Sequence, residues 1–164
     1  MPAQSTTPGS QVIRHRYARQ TRATQMDVAV TDIDQTITDC LVDASFVEGL
    51  IIADSALHEQ LLSKEYLVET VDKLGLNRRG VVMARRVARC ADGLSESGGE
   101  SKARALMIER GWQTPELQVE LFDPVEPGRP YRVDYLWRVG DQLIIGEFDG
   151  FVKSEKAAEE GKLA

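Results

Sequence analysis

Between residues 31 and 111 apolar side chains return every three to four positions, and from residue 117 they alternate or run in short blocks. The first period predicts amphipathic helices and the second predicts strands. Thr31 reads as a helix N-cap, with Asp32 and Asp34 in the first turn complementing the helix dipole. Ile33, Ile37, Cys40 and Leu41 then form one stripe. Ser45 caps a helix over residues 46–61 with Val47, Leu50, Ile51, Leu57 and Leu61 inward. Asp54 interrupts that stripe, and an acid there is expected to bond a neighbouring helix end or an arginine. Ser63 caps a third helix carrying Leu67, Val68, Val71 and Leu74, with Gly75 in the C′ place. Asn77 or Gly80 precedes a fourth, with Val81, Val82, Ala84, Val87, Ala88 and Ala91 inward and its arginines outward. After the loop 92–99, residues 100–111 form a fifth, with Ala103, Leu106 and Met107 on the buried side and Glu100 on that same side.

The extended segments follow. Residues 117–122 (LQVELF) alternate as a strand. Residues 131–139 (YRVDYLWRV) and 142–148 (QLIIGEF) flank Gly140-Asp141, a two-residue hairpin signal. A two-residue loop sets the register: Val139 faces Gln142, Trp137 faces Ile144, Leu136 faces Ile145 and Asp134 faces Glu147. Short strands are expected at 12–17 (VIRHRY) and 27–30 (DVAV), and a helix after Gly150. The order from Gly99 is helix, strand, strand, strand, helix, an α/β arrangement with a mixed or antiparallel start to its sheet. Three regions result: a Pro/Ser/Thr/Gly-rich disordered tail at 1–11, short strands and a helical subdomain at 12–93, and an α/β core at 94–164.

The hairpin register has a chemical consequence. Asp134 and Glu147 come opposite each other with Cβ atoms about 5 Å apart, where like charges are destabilising. Asp149 lies on the same side two residues on. Leu136, Leu143 and Ile145 share that face, so the acids emerge from an apolar surface, a setting suited to a hard divalent cation. The competing reading is a salt-bridged face, with Arg132 opposite Asp149 and Lys153 serving Glu147.

Composition adds limits. The 164 residues are 42% hydrophobic, enough for one domain, and the formal net charge of −6 argues against non-specific coating of DNA. Arginines nevertheless cluster at Arg14, Arg16, Arg19 and Arg22, and again at Arg78, Arg79, Arg85, Arg86 and Arg89. The second group reads as an ordinary wet helix face, because no aromatic residue is interleaved for base stacking. Cys40 and Cys90 have no zinc spacing and read as reduced, buried small hydrophobes of a cytoplasmic protein. His15 and His58 have no partner pattern. No apolar run reaches the roughly 20 residues of a membrane span, and no secretory signal is visible.

Taken together, the helix bearing GES, then LQVEL, RVDYLW and GEFDGFVK, resemble the PD-(D/E)XK nuclease superfamily. They are most similar to its very-short-patch-repair endonuclease-like branch and, within it, to the C-terminal domain of actinobacterial proteins related to AbiEi-type antitoxins. The stretches VAVTDIDQTITDCL and IIADSALHEQLLSKEYL are similar to the segment preceding that domain, so the resemblance covers residues 12–153. It implies a restriction-endonuclease-like core of helix, mixed sheet and helix, preceded by a helical region. It implies Asp134 as central metal ligand, Glu147 as second and Glu100 as third, all toward Mg²⁺ or Mn²⁺. Lys153 would stabilise charge on the attacked phosphate, Asp149 would sit at the mouth, and Gln118 would orient Glu100 or water. Two departures stand out. The motif's lysine usually follows the glutamate by two residues, where this chain has Asp149. The family's N-terminal winged helix and further C-terminal strands are not visible, so an incomplete sheet with an exposed edge is expected.

Three functions follow from these readings. The first is a Mg²⁺-dependent endonuclease hydrolysing phosphodiester bonds in DNA. The second is a non-catalytic regulatory module of a type IV toxin–antitoxin system that binds DNA, a toxin or a second copy of itself. The third is a structural remnant whose acids are salt-bridged.

Overall fold

The computed structural model describes residues 23–122, 128 and 130–149. The expected tail at 1–11, the strand at 12–17, the N-terminal arginines, His15, Lys153 and the helix after Gly150 lie outside the described residues. The elements run β1 (Ala23–Gln25), β2 (Val28–Val30), α1 (Ile33–Asp43), α2 (Phe46–His58), α3 (Lys64–Leu74), α4 (Val81–Cys90), α5 (Gly98–Glu109), β3 (Glu116–Leu121), β4 (Tyr131–Val139) and β5 (Gln142–Gly146). Helices and strands make an α/β protein whose described pairings are all antiparallel: β1 with β2, and β3 with β4 with β5.

Helix α2 packs against α1, α4 and α5. Phe46, Leu50 and Ala53 enter from α2, Ile37, Leu41 and Val42 from α1, Leu67 and Val71 from α3, and Ala84, Val87 and Ala88 from α4. Each large side chain removed from water there stabilises the fold by about 1.5–3 kcal/mol. Gly49 lets α2 approach α4, since a Cβ would sit 2.9 Å from Val87 Cγ2.

Several helix details differ from the sequence-based expectation. Asp32, not Thr31, caps α1: its carboxylate accepts the backbone N–H of Gln35 at 2.8 Å, while the Thr31 hydroxyl bonds that of Thr36. The inner face of α1 takes Gln35, Ile37, Thr38, Leu41 and Val42, leaving Ile33 and Cys40 exposed. Polar residues at two inner positions disguised the true stripe. Helix α2 stops at His58, Gln60 is left-handed (φ 54°), and Leu61 is exposed. Gly75 ends α3 in the right-handed region (φ −80°) rather than the left-handed conformation of a C′ glycine. It is needed for space, because a Cβ would lie 2.5 Å from the Val71 carbonyl oxygen. Val82 of α4 points out, and the helix starts from Gly80 at φ 85°.

The largest revision concerns Asp54 and Arg104. Asp54 is fully buried and does both things expected of it. It accepts the backbone N–H of Asp92, just after α4, at 2.8 Å, and receives Arg104 Nη2 at 2.7 and 2.6 Å. Arg104 also donates to the Cys90 carbonyl at 2.8 Å. The innermost residues of α5 are thus Ser101, Arg104 and Ala105; Ala103, Leu106 and Met107 are only partly buried. A buried arginine is legible only once its acid is known to be buried too.

The sheet follows its expected register. Val139 pairs with Gln142, Trp137 with Ile144 and Leu136 with Ile145. Of the turn pair only Gly140 is left-handed (φ 59°), the pattern of a II′ turn. Val133, Tyr135 and Leu136 of β4 and Leu117 of β3 are buried, while Leu143, Ile144 and Ile145 of β5 are all about half exposed. The apolar surface expected around the acids is therefore open along its outer strand.

Candidate functional site

Three segments bring polar side chains together: the first turn of α5, the middle of β3, and the open end of the β4–β5 hairpin. Ser97 caps α5, accepting the Glu100 N–H at 3.2 Å. Glu100 answers as the third helical residue of a capping arrangement: its Oε1 accepts from Ser97 Oγ at 2.8 Å and its Oε2 from the Glu96 N–H at 3.0 Å. The same Oε2 is reached by Gln118 Nε2 at 3.2 Å. Glu100 therefore serves both roles that its position allows, as dipole complement and as an acid turned toward the sheet.

Gln118 is the hinge of the site. Its amide also donates to Asp134 Oδ1 at 3.4 Å, joining the helix acid to the strand acid. Its backbone is left-handed (φ 51°) inside a strand, and its pairing with Asp134 is missing from a ladder that is otherwise in register from Glu116–Leu136 to Leu121–Tyr131. A left-handed backbone at a non-glycine residue costs on the order of 1–3 kcal/mol and persists where the surroundings enforce it, most often at functional sites.

Asp134 is half-buried, and its Oδ2 accepts the Phe148 N–H at 2.7 Å. The last pair of the hairpin ladder is Tyr135–Gly146, so the next position in register brings Asp134 opposite Glu147. Although Glu147 is exposed, its carboxyl is held above the ordinary range, by partial desolvation first and then by the charges of Asp134 and Asp149. Glu147 is thus close enough to Asp134 to feel its charge, one residue beyond the last rung of the ladder, and Asp149 adds to that field. Arg132 does not neutralise Asp149; it pairs with Glu96 at 2.8 Å. Among the described residues no lysine or arginine forms an ion pair with Asp134, Glu147 or Asp149.

Two contributors had not been anticipated. Tyr135 donates its hydroxyl to the Glu100 carbonyl at 2.9 Å, tying α5 to β4, and burial followed by the charges of Glu100 and Asp134 pushes its phenol upward. Phe148 seats its ring on Gly99, where a Cβ would fall 2.3 Å from Phe148 Cε1. That seat fixes the backbone between Glu147 and Asp149. A hydroxyl beside the acid in RVDYLW and the paired glycines of SGGES were the available signals.

The fit to a divalent cation is partial. Asp134 and Glu147 supply hard oxygen donors with uncompensated charge, as such an ion requires. Glu100 stands off, with the Gln118 amide between it and Asp134. Among the described residues no three acidic, histidine or cysteine side chains close into a metal-binding group.

Two proteins from Mycobacterium tuberculosis are similar to this chain: "Uncharacterized protein MT2308" of strain CDC 1551 / Oshkosh and "Uncharacterized protein Rv2248" of strain ATCC 25618 / H37Rv. Each is 36% identical over 101 residues, covering 62% of this chain and 35% of the relative. The chain thus spans about a third of the length of the curated relatives it matches. No family model matches it, and no solved structure matches it. No helix among the described residues is long and apolar enough to cross a membrane.

Proposed function

We propose that this chain carries the core of a PD-(D/E)XK-like nuclease, a metal-dependent phosphodiesterase acting on DNA, with Asp134 and Glu147 as ligands to Mg²⁺ or Mn²⁺. The observation that carries the proposal is a like-charged pair at the open end of a hairpin, wired through a strained Gln118 to a third acid on a neighbouring helix. Such an ion, when bound, lowers the pKa of a coordinated water and offsets charge on the phosphate. The chain's own part is to hold the acids. Phe148 N–H orients one oxygen of Asp134, Gln118 the other, and Tyr135 keeps the start of α5 over the sheet. Glu100 enters the shell only if Gln118 moves aside. Lys153 and Asp149 complete the proposal as the cation and the acid at the mouth.

One observation favours a second reading, a non-catalytic module that binds DNA, a toxin or a second copy of itself. Glu100 is already engaged by Ser97, Glu96 and Gln118, and Asp134 by Phe148 and Gln118. The two readings separate in a thermal-shift titration with Mn²⁺ or Mg²⁺, followed by plasmid nicking with and without chelator. The nuclease reading expects saturable stabilisation lost in Asp134→Ala, and nicking lost in Asp134→Asn with Glu147→Gln. Nicking that survives both substitutions refutes the site; absence of any metal effect together with a co-purifying partner supports the binding module.

A further inference from the structure

The outer face of α4 is cationic in a chain that is acidic as a whole. Residues 74–91 hold five arginines, no lysine and no acid, while the full chain carries a net charge of −6. The helical period sorts their side chains. Ala84, Val87 and Ala88 are buried, which leaves Val82, Arg85, Arg86 and Arg89, at i, i+3, i+4 and i+7, along the outside. Two of the five arginines are neutralised within the fold: Arg78 pairs with Asp39 at 2.6 Å and Arg85 with Asp72 at 2.5 Å. Arg86, Arg89 and Arg79, just before the helix, are exposed and form no ion pair among the described residues.

One contact separates this face from an ordinary wet one. The Arg86 guanidinium lies over the Phe46 ring, 4.1 Å from its centroid, and that ring is only 1% exposed. The ring holds the cation in place without neutralising it, so its planar fork of donors is ordered before any acceptor arrives. Unpaired guanidinium groups spread along one helix, with no acid among them, match a ligand that presents a row of anionic oxygens. We infer that the outer face of α4 docks on the backbone of duplex DNA, with Arg79, Arg86 and Arg89 toward phosphates and Val82 against a deoxyribose. The same side chains choose the ligand. A single strand calls for exposed rings on which bases stack, and Phe46 is covered by Arg86. An RNA strand would set a 2′-hydroxyl against Val82, which is 79% exposed and offers it no hydrogen bond. Helix α4 packs against α1, α2 and α3, so it lies across the backbone and reads no base edges. The inference holds whether or not the acids of the hairpin bind a cation.

The test is fluorescence anisotropy of a short labelled DNA duplex of mixed sequence, titrated with the full chain in chelator at several salt concentrations. A Kd on the order of 1–100 μM is expected, the range of non-specific phosphate contacts. Arg79→Ala, Arg86→Ala and Arg89→Ala should each weaken binding about eightfold at about 0.1 M salt. Each should also make the logarithmic salt dependence shallower by about 1, the counterion release of one phosphate. Lys73→Ala removes the same charge from α3, where Lys73 lines a separate crevice with Asp32 and Asp34, and should leave the slope unchanged. Circular dichroism establishes that each variant is folded. Parallel arms use one strand alone, the RNA duplex of the same sequence, and poly-glutamate. Equal or tighter binding of either RNA duplex or single strand overturns the choice of duplex DNA, and equal binding of poly-glutamate reassigns the face to an acidic protein. No binding in chelator, or arginine variants that keep the parent's affinity and slope, overturns the inference. Cleavage is not read in this assay, so failure of the proposed metal site leaves its outcome intact.

Discussion

Replacing Asp54 by alanine tests how the helical layer holds the start of α5 over the sheet. Asp54 and Arg104 are 0% and 1% exposed, and the carboxylate accepts three hydrogen bonds, two from the guanidinium and one from Asp92. Removing the acid leaves a charge in the core whose remaining acceptor is the Cys90 carbonyl. Breaking a buried pair from one side costs about 3–5 kcal/mol. Domains of this size are stable by about 5–15 kcal/mol in all, so the substitution removes about a fifth of the total or more. Each kcal/mol lowers Tm by about 2–4 °C at this chain length, giving a fall of roughly 10 °C. Asp54→Leu combined with Arg104→Met removes both charges and should restore about half of the loss. A residual of about 1–3 kcal/mol is expected from the unpaired Asp92 N–H. Urea denaturation followed by circular dichroism measures both variants. A cost below about 1 kcal/mol for Asp54→Ala, or a double variant no more stable than the single, would show that the pair does not anchor the helix.

Three other outcomes follow from the same structure. At Gln118, glycine should be more stable than alanine by about 1 kcal/mol in chemical denaturation, the reverse of ordinary strand behaviour, because φ is 51° there. Gly80→Ala should cost about 3 kcal/mol by the same measurement, since φ is 85° and the new Cβ would sit 1.8 Å from the Val42 carbonyl oxygen. Glu147 has a folded-state pKa above its ordinary value, so the folded chain binds the extra proton and metal-free stability falls as pH rises through that interval. Glu147→Gln should therefore raise Tm in chelator by an amount that grows across the interval, reflecting a few tenths of a kcal/mol of relieved repulsion. A pH-independent difference would contradict the facing-acid geometry.

How far the sequence carried the fold depends on how local the deciding interaction was. The β4–β5 register was legible because a two-residue turn and a period of two leave one solution, and that solution placed Asp134 opposite Glu147. The Ser45 and Ser63 caps were legible for the same reason. Asp54 was read correctly from its misfit in an apolar stripe. Arg104 was not, because an arginine becomes a core residue only through a partner fifty positions away in the chain. Strand β1 was missed because Met26-Asp27 is not a typical hairpin dipeptide, yet both residues adopt left-handed φ values of 49° and 62°. Cys40 and Ile33 were placed inward by hydrophobicity, when Gln35 and Thr38 hold the inner positions. At the site, spacing identified the acids but not Tyr135 or Phe148, whose contacts run from side chain to backbone and from ring to glycine.

The double engagement of Glu100 has a thermodynamic consequence. Its two oxygens finish the first turn of α5 while one of them also receives the bridging amide. Any ligand that recruits this carboxylate must loosen the beginning of the helix, so occupancy at the sheet and order at Ser97 and Glu96 become opposite sides of one equilibrium. Amide exchange at the Glu96 and Glu100 N–H groups would then report binding from inside the protein, quickening as the acid is drawn away.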